Sequence, residues 1–562
     1  MKRFLLTIMS ALLLSLPHVS HAAKHTPYCS SRIFWDDSTR RTIFAHGCYS
    51  RLIELADGRW MAVAESAGIV VAYSDDGGET WSSPVKIVAN TNLTPNCAPD
   101  LVQLADGTII VAYNPRPAKP YTAGRRFGIR CKRSADGGAT WSEETKVYDA
   151  SYTFGDGCWE PSLLQLPSGE VQLYFADESP FTSSDEQQIS LCRSFDNGKT
   201  WTSPQRASFR AGHRDGMPSA VMLADGNTIA LAFEDNGWSG VDDFIPTVAT
   251  CPLSTNWNGY FADADTTHRW PAMDYTMCQR YKGGAPYLRK LPCGETIVSH
   301  QGHGNGLAAP AMITYVGNTE AKGFKAMSMP FGVENSLWNA LAVTDTGTVV
   351  AIGGMQGRVD MIKGRALRQI EASFARPKVD GRHTSGEGYR YANATQMILG
   401  HNGDDAHLTA DFAYDADSLY FISYVADASM HAQNNSSSDG VSLCLDTRYA
   451  SDEYPVDGIF RIFFGREGAI AVYKGKTSTR HWNQTKPKGM RSVLTAAPHG
   501  YTLEAAVAWK TLGFTTAPVG KKMRTNVVLH HSLDDTSNLV TTMMPDAKSD
   551  ASWSWIDFVL LP

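Results

Sequence analysis

The 562-residue chain lacks the features that mark several common classes of protein. Lys and Arg total 51 against 57 Asp and Glu, a formal net charge of −6, so no basic excess supports binding to nucleic acid. Beyond the N-terminus no stretch reaches the ~20 consecutive apolar residues of a membrane-spanning helix, and no span is predicted. No Cys-x-x-Cys pair, zinc-type cluster, Ser-His-Asp arrangement or phosphate-cradling loop stands out.

Residues 1–23 have the pattern of a secretory signal peptide. Lys2 and Arg3 precede an apolar run from Phe4 to Leu16, and Ser20-His21-Ala22 supplies the small-residue cleavage pattern. The run is too short to span a bilayer. The mature chain is therefore predicted to be secreted or periplasmic.

All ten cysteines follow this segment, in a compartment that permits disulfides. Nine lie between Cys29 and Cys293, and Cys444 stands alone in the later part. Each part then holds an odd number of thiols, so each keeps an unpaired thiol or a bridge joins the two parts. We interpret these cysteines as structural.

An internal repeat indicates the architecture of the first part of the chain. The pattern Ser-x-Asp-x-Gly-x-Thr-Trp occurs three times, with its Asp at positions 76, 136 and 196. Its Ser, Asp and Thr side chains are suited to hydrogen-bond a turn, its Gly permits a positive φ, and its Trp covers the hairpin. These Asp-boxes are interpreted as structural.

A second repeated unit consists of an apolar strand, a tight turn ending in Gly and another apolar strand. Its six copies predict six hairpins with two-residue primed turns, one for each four-stranded blade. Residues 24–372 are therefore predicted to form a six-bladed β-propeller. The turns are Asp57-Gly58, Asp106-Gly107, Ser168-Gly169, Asp225-Gly226, Cys293-Gly294 and Thr346-Gly347.

The composition changes after Phe374, where neither the Asp-box nor the hairpin repeat continues. Segments such as 419–427, 459–465 and 501–509 have the composition of sandwich strands. Residues 375–562 are therefore predicted to form a β-sandwich, and the whole chain is predicted to be all-β.

Counting residues from each turn predicts which side chains reach the open ends of the hairpins, where propellers usually bind ligands. Glu160, Asp177 and Glu234 are each eighth from their turns, which predicts three carboxylates at one height. A polar ring at this end is expected, with further members nearer the turns. Those members are Arg51, Asp100, Tyr287 and His300 at the sixth position, and Glu65 and Asn339 at the seventh.

A pair of carboxylates in neighbouring blades suggests glycosidic cleavage, which uses one as nucleophile and the other as proton donor. Asp177, opposite Glu160, would raise the proton affinity of a neighbour through like-charge repulsion or would accept a hydrogen bond from substrate. The simpler alternative is that all three are exposed strand ends, where any polar residue is allowed.

The Asp-boxes and six hairpins resemble the sialidase superfamily of six-bladed propellers. Within it, Trp159-Glu160-Pro161 and the segment from Asp215-Gly216-Met217-Pro218 to Phe233-Glu234 resemble glycoside hydrolase family 93, the retaining exo-α-1,5-L-arabinanases. The resemblance implies that Glu160 is the nucleophile and Glu234 the acid/base, that no metal is required, and that the partner is an α-linked arabinan or a related polysaccharide. A monomer is expected. The residues that we expect to contact substrate are Arg51, Asp100, Asp177, Tyr287 and Gln301.

Two alternatives of other kinds remain open. Arg51 resembles the first arginine of true sialidases, which grip the sugar carboxylate with two further arginines. No arginine stands at the equivalent position of the other blades, and Arg116, Arg130, Arg214 and Arg289 are the remaining candidates. A propeller that binds glycan without cleaving it is the other alternative.

The second domain resembles family 9 carbohydrate-binding modules. The residues that carry the resemblance are Pro377 to Gly381, the strand 419–427, and Glu504 to Trp509 followed by Leu512-Gly513. Trp509 is interpreted as part of the core. Such modules often hold structural calcium through loop carboxylates, which makes Asp404, Asp405 and Asp439 candidate ligands.

Overall fold

The computed structural model describes residues 31–562. Some short segments of this range are outside the description: 92, 274–277, 279–280, 305–306, 333, 391–393, 400–404, 428–438, 467, 498–499, 533–537 and 543–549. The predicted signal peptide and Cys29 also lie outside it. None of the helices in the described part is long and apolar enough to cross a membrane.

Six four-stranded antiparallel sheets surround one axis and confirm the predicted propeller. The first strand of each sheet contacts the first strands of its neighbours, so these six strands are the innermost. The sixth blade is closed by the N-terminal strand β1 (Arg32–Phe44), as described below. The other strands, in chain order, are β2 (Cys48–Glu54), β3 (Trp60–Glu65), β4 (Gly68–Ser74) and β5 (Val85–Ala89) in blade 1; β6 (Asn96–Gln103), β7 (Ile109–Pro115), β8 (Gly128–Ser134) and β9 (Thr145–Asp149) in blade 2; β10 (Cys158–Gln165), β11 (Val171–Asp177), β12 (Gln188–Ser194) and β13 (Gln205–Ser208) in blade 3; β14 (Asp215–Met222), β15 (Thr228–Asp235), β16 (Ile245–Pro252) and β17 (Arg269–Pro271) in blade 4; β18 (Tyr287–Lys290), β19 (Thr296–Gly302), β20 (Ala311–Gly317) and β21 (Lys325–Ser328) in blade 5; and β22 (Leu337–Val343), β23 (Thr348–Met355) and β24 (Arg358–Leu367) in blade 6.

The hairpin turns differ from the predicted two-residue type. In blade 3, the Gly169 amide donates to the Leu166 carbonyl at 2.9 Å, and the Leu166 amide donates to the Glu170 carbonyl at 2.8 Å. The loop therefore has three residues, and only its last residue, Gly169, has a positive φ, of 89°. A type I turn followed by a left-handed glycine satisfies this geometry, whereas a type I′ turn would need two positive φ values. The primed-turn prediction is wrong.

The three Asp-boxes are turns held together by their own side chains. In the first box, Asp76 accepts hydrogen bonds from the Ser74 hydroxyl at 2.8 Å and the Thr80 hydroxyl at 2.6 Å, and Ser74 accepts from the Gly78 amide. The hydrogen bond from Thr80 is the largest of the effects that lower the pKa of Asp76 to about 2. The other two boxes repeat these contacts. All of these bonds are internal to the turn, as a structural motif requires.

The N-terminal strand closes the propeller as the outermost strand of blade 6. β1 pairs with β24 along its length, from Arg32 opposite Leu367 to Phe44 opposite Val359. Its side chains alternate between two cores: Ile33 and Trp35 pack into the propeller, whereas Phe34 packs with the apolar residues of the second domain. One strand is thus shared by both domains.

The second domain is a sandwich of two antiparallel sheets, as predicted. Its first sheet has the order β26-β27-β28-β34-β33, and its second runs β32-β31-β30-β29-β35, with β36 and β37 beside β35. Trp509 is buried in the core, as expected. The strands are β25 (Gln369–Phe374), β26 (Ala394–Leu399), β27 (Asp405–Tyr414), β28 (Ser418–Asp427), β29 (Gly440–Asp446), β30 (Ile459–Gly465), β31 (Ile470–Lys476), β32 (His481–Thr485), β33 (Met490–Ala497), β34 (Gly500–Ala508), β35 (Met523–Ser532), β36 (Asn538–Thr542) and β37 (Ile556–Leu560), and the three short 3-10 helices of the described chain are Phe154–Asp156, Trp509–Leu512 and Ser552–Ser554.

The two domains are joined through strands rather than through an open linker. β25 follows β24 after a single residue and pairs in parallel with β37 and β27 of the sandwich. β26 then pairs with β1 at Trp35 and Asp36. No disulfide joins any of the nine cysteines in the described part of the chain, and seven of them are buried.

We predict that Phe34→Ala destabilises the sandwich, although Phe34 is more than 300 residues away from it in the sequence. Its ring is 3% exposed and packs in the sandwich core, so truncation leaves a cavity that costs ~3–5 kcal/mol. Differential scanning calorimetry of the whole chain should show a transition lowered by on the order of 10 °C. The control is Phe195→Ala, because that ring is 71% exposed. Equal transitions in both variants would contradict the shared core.

Candidate active site

A bulge interrupts every innermost strand near its first residues, at the open end of the hairpin. The pairing with the second strand shifts by one residue there in each of the six blades. The bulged residue has a positive φ, between 30° and 55°, a backbone conformation that is unfavourable for residues other than glycine. These residues are Tyr49, Ala98, Glu160, Met217, Ala285 and Trp338. They form a ring at the axis, and Glu160 is its one carboxylate.

Side chains on the second strands fix three of these bulges from the neighbouring blade. Glu65 accepts a hydrogen bond from the Ala98 amide at 3.1 Å, and Glu234 accepts one from the Ala285 amide at 2.7 Å. Gln301 does the same for the Trp338 amide at 3.1 Å. The three acceptors occupy equivalent positions, opposite the residue before the bulge. We call this contact the bulge clamp.

Glu160 is oriented by an arginine from blade 2. Its Oε1 atom accepts a hydrogen bond from Arg116 Nη2 at 2.8 Å, and the Glu160 side chain is 15% exposed. Asn114 holds Arg116 in turn, because its Oδ1 accepts from Arg116 Nε at 2.6 Å. The guanidinium also lies 5.1 Å from the ring centre of Trp159. The carboxylate is thus fixed and remains reachable from solvent.

The electrostatic environment of Glu234 differs from that of Glu160. Burial raises the pKa of Glu234 to about 7, and the negative charge of Glu160 adds to the rise against the opposing Ala285 hydrogen bond and Arg214 charge. Glu234 is therefore largely protonated below neutral pH while its neighbour carries a negative charge. A buried carboxyl group with a raised pKa beside a second carboxyl group is an arrangement suited to acid and base roles.

Two glycines leave the space that the Glu234 carboxylate occupies. A Cβ atom on Gly284 would lie 1.9 Å from Glu234 Oε2, and one on Gly216 would lie 2.8 Å from Oε1. Neither glycine has a positive φ, so close approach rather than backbone conformation accounts for them. The carboxylate fits between the backbones of blades 4 and 5.

A fully buried ion-pair cluster holds the two strand ends that carry Gly216 and Glu234. Arg269 donates to both oxygens of Asp215, at 2.7 and 2.9 Å, and to Asp235 at 3.0 Å. Asp215 and Asp235 are paired across β14 and β15, next to Gly216 and Glu234. All three charged groups are 0% exposed, and both carboxylates pair with Arg269, so buried ion pairs join the two strand ends.

Three of the predicted substrate contacts form a buried layer beneath the ring. Asp100 accepts hydrogen bonds from the Tyr287 hydroxyl at 3.3 Å and from the Leu163 amide at 2.7 Å. The Arg51 guanidinium lies 4.5 Å from the Tyr287 ring centre and 4.1 Å from that of Tyr49. Arg51, Asp100 and Tyr287 are 2–4% exposed, and burial raises the pKa of Tyr287 to about 12. Their direct contact with a substrate stays a prediction.

Asp177 is displaced from its predicted position opposite Glu160. It pairs with Cys158, because the three-residue turn and the bulge each shift the register by one residue. Its carboxylate accepts hydrogen bonds from the hydroxyls of Ser179 at 2.7 Å and Ser190 at 3.0 Å. The prediction of three carboxylates at one height is therefore wrong for Asp177.

Glu178, the next residue, is a further carboxylate that interacts electrostatically with Glu160. Burial raises the pKa of Glu178, and the charge of Glu160 adds to that rise against the effect of Arg214. Glu178 accepts from Arg214 and, at 3.0 Å, from the Gln187 side chain. It is 5% exposed, and its partner Arg214 also acts electrostatically on Glu234.

The arginines considered for a sialidase-type anion grip all have protein partners. Each guanidinium forms an ion pair with a nearby carboxylate or donates hydrogen bonds to a phenol or to backbone carbonyls. Arg51 donates to the Ser50 and Trp338 carbonyls, Arg116 pairs with Glu160, Arg130 with Asp149, Arg214 with Glu178, and Arg289 donates to the Tyr287 hydroxyl.

One cluster of the sandwich has the composition of a metal site. Ligand atoms of Asp427, Asp439 and His531 lie within 4.8 Å of one another, and all three residues are buried. His531 Nδ1 already lies 2.9 Å from Asp427 Oδ2, an interaction that needs no ion. Calcium prefers oxygen ligands, so the imidazole fits a calcium site poorly. Of the predicted calcium ligands, Asp439 belongs to this cluster, whereas Asp404 and the Asp405 side chain lie outside the description.

Comparison with known proteins agrees with this organisation. Residues 122–239 match the BNR repeat-like domain and residues 72–83 the BNR/Asp-box repeat. Residues 379–557 match the carbohydrate family 9 binding domain-like family. The chain combines an Asp-box propeller with a domain that resembles family 9 carbohydrate-binding domains, called the family 9-like domain below. No curated protein matches the chain significantly.

Solved structures resemble the two parts separately and at low sequence identity. For the Asp-box propeller, the GH93 α-L-arabinofuranosidase of Fusarium graminearum with arabinobiose is 18% identical, with a TM-score of 0.45 over 60% of this chain and 98% of that one. The Hadza microbial sialidase Hz136 is 14% identical, with a TM-score of 0.40 over 58% and 67%. For the family 9-like domain, a family 9 module from Caldicellulosiruptor kristjanssonii with cellotriose is 14% identical, with a TM-score of 0.27 over 34% and 93%.

Several residues of this site were not found by sequence reasoning. The sequence indicates Arg116 only as a candidate anion ligand and gives no signal for Glu178 or Gln187. One usable signal was present, because proline follows the bulged residue in four blades, as in Glu160-Pro161. Proline cannot donate to the ladder of an inner strand, so its presence there indicates a bulge.

We predict that Glu234 titrates near pH 7 and that its pKa falls in Glu160→Gln, because that substitution removes a neighbouring negative charge. Infrared difference spectra of the carboxyl stretch, with Glu234→Gln as the reference, would report the midpoint. The control is Glu65→Gln, which removes a carboxylate of blade 1 and is expected to leave the Glu234 midpoint unchanged. An unchanged midpoint in Glu160→Gln would mean that the charge of Glu160 does not affect Glu234.

Proposed function

We propose that the protein is an exported, retaining exo-glycoside hydrolase that acts on α-linked arabinan or a related polysaccharide. The observation that carries this proposal is the contrast between Glu160 and Glu234. One carboxylate is ion-paired with Arg116, and burial together with the first charge raises the pKa of the other to about 7. Glycosidic cleavage with retention uses two carboxyl groups with these properties.

In the proposed reaction, Glu234 donates its proton to the oxygen of the departing sugar while Glu160 attacks the anomeric carbon. The C–O bond to the leaving sugar breaks as the bond to Glu160 forms. Glu234, now ionised, then takes a proton from a water molecule, and that water releases the glycosyl group from Glu160. Glu234 Oε2 accepts the Ala285 amide, which leaves Oε1 to carry the proton.

The choice of sugar rests on the resemblance of the segments around Glu160 and Glu234 to glycoside hydrolase family 93. Export rests on the N-terminal signal pattern of residues 1–23. The family 9-like domain suits a polymeric substrate, since an accessory carbohydrate-binding domain increases the local concentration of an insoluble or extended chain. No metal is needed for the proposed steps.

A propeller that binds glycan without cleaving it is the second candidate, and the bulge clamp favours it. Glu65 and Gln301 make the same backbone contact as Glu234, so a carboxylate at this position also has a purely structural use. Gln301 shows further that an amide serves this use equally well. Glu→Gln substitutions therefore separate the two candidates, because they keep the clamp and remove the proton.

We predict that Glu160→Gln and Glu234→Gln each lower kcat on linear arabinan by about 10²–10⁴-fold, the usual contribution of a catalytic carboxyl group. Product sizing and polarimetry of the released sugar would give the exo mode and the retained configuration. Glu65→Gln is the matched control, since it replaces a clamp of the same geometry, and a change of a few-fold at most is expected. Wild-type activity in Glu234→Gln, or cleavage of a sialoside instead of arabinan, would contradict the proposal.

We also predict that Gly284→Ala lowers kcat/KM by about 10²-fold, because the new Cβ atom would lie 1.9 Å from Glu234 Oε2 and must displace the carboxylate. Circular dichroism melts should show that the propeller remains folded. Gly124→Ala is the control, since nothing lies within 4 Å of that added atom and its φ is not positive. Equal activity of the two variants would show that the position of Glu234 is unimportant.

A further inference from the structure

An exposed aromatic ring stands beside the proposed active site. Phe154 begins a short 3-10 helix between β9 and β10, and it is 61% exposed. Its ring centre lies 4.8 Å from that of Trp159 and 6.1 Å from that of Phe127, which it meets edge to face. One side of the ring thus packs on two aromatic residues while the remainder faces solvent.

The loop that carries Phe154 is held in one conformation. The Ser151 amide donates to the Asp156 carbonyl at 3.2 Å, and the Thr153 hydroxyl donates to the Asp156 carboxylate at 2.6 Å. The Phe127 amide donates to the Ser151 carbonyl at 3.0 Å. Gly157 allows the close approach of Trp159, because a Cβ atom there would lie 2.9 Å from the indole. These contacts therefore hold the loop in one conformation with the Phe154 ring exposed.

A continuous series of contacts links this ring to the nucleophile of the proposed reaction. Phe154 packs on Trp159, the Arg116 guanidinium lies 5.1 Å from the Trp159 ring centre, and Arg116 donates to Glu160. Trp159 and Glu160 are also neighbours in the chain. Phe154 therefore lies on the same face of the propeller as the carboxylates, and Trp159 separates it from Arg116 and Glu160.

We propose that Phe154 binds a sugar ring of the carbohydrate chain, away from the bond that is cleaved. The electron-rich face of an aromatic ring attracts the polarised C–H groups on the flat face of a sugar. Single exposed apolar residues are common, and Phe195 is one at the tip of an Asp-box turn. Phe154 differs because its supporting aromatic residues lead directly to Glu160. The inference rests on the proposed function and adds a second binding position to it.

The test compares wild type, Phe154→Ala, Phe154→Trp and Phe195→Ala on linear arabinan and on arabinotriose. We expect Phe154→Ala to raise KM for arabinan about tenfold with kcat unchanged, and Phe154→Trp to restore it. Arabinotriose should be affected less, because a short substrate reaches fewer binding positions. Phe195→Ala should behave as wild type. A fall in kcat without a change in KM would mean that Phe154 only supports Trp159 and Arg116, and would overturn the inference, as would no change at all.

A separate measurement distinguishes failure of this inference from failure of the proposed function. Affinity electrophoresis in gels that contain linear arabinan reports binding without turnover. Wild type and Phe154→Ala have the same family 9-like domain, so a difference in their retardation comes from Phe154. If the protein cleaves nothing and Phe154→Ala is retarded less than wild type, the result would support sugar binding by Phe154 and contradict the proposed hydrolase activity. Equal retardation of the two would overturn the role of Phe154.

Discussion

The bulge clamp is the contact on which the rest of the site depends. Each innermost strand places one residue in a left-handed conformation, and three of those residues are fixed by a side chain from the preceding blade. A left-handed Glu or Trp is unfavourable in isolation, so the surrounding hydrogen bonds must compensate for it. The bulged strand ends lie around the axis, and there Glu160 and Glu234 interact electrostatically although they belong to separate blades.

The equivalence of Glu65, Glu234 and Gln301 shows how little separates a structural residue from a candidate catalytic one. All three accept the same backbone hydrogen bond. Glu234 differs in its surroundings, because Gly216 and Gly284 admit its carboxylate and Glu160 supplies a nearby negative charge. Environment rather than residue type gives Glu234 its raised pKa. The same principle explains why Asp177, satisfied by two serines, has no evident part in the site.

Periodic features of the sequence allowed the fold to be predicted, and irregular features limited the prediction of the site. The Asp-boxes and the Gly-terminated hairpins predicted six blades, and the loss of both repeats predicted a second domain. Residue counting placed Glu160 and Glu234 near one another in height, but it assumed unbroken ladders. In blade 3 the hairpin has one more residue at its turn and one more at its bulge than the count allows, so the count is wrong for Asp177. Arg116 could not be assigned because its partner depends on contacts between blades.

The N-terminal strand β1 packs against parts of the chain that are synthesised much later. β1 is made first, yet its partner β24 lies more than 300 residues later, and Phe34 completes a core whose other members come later still. The ring of blades cannot close until most of the polypeptide has emerged, and contacts at such large sequence separation form slowly. Clipping of this one strand by a protease would also open the propeller and expose the sandwich interior in a single event. Strand β1 therefore stabilises both domains at once.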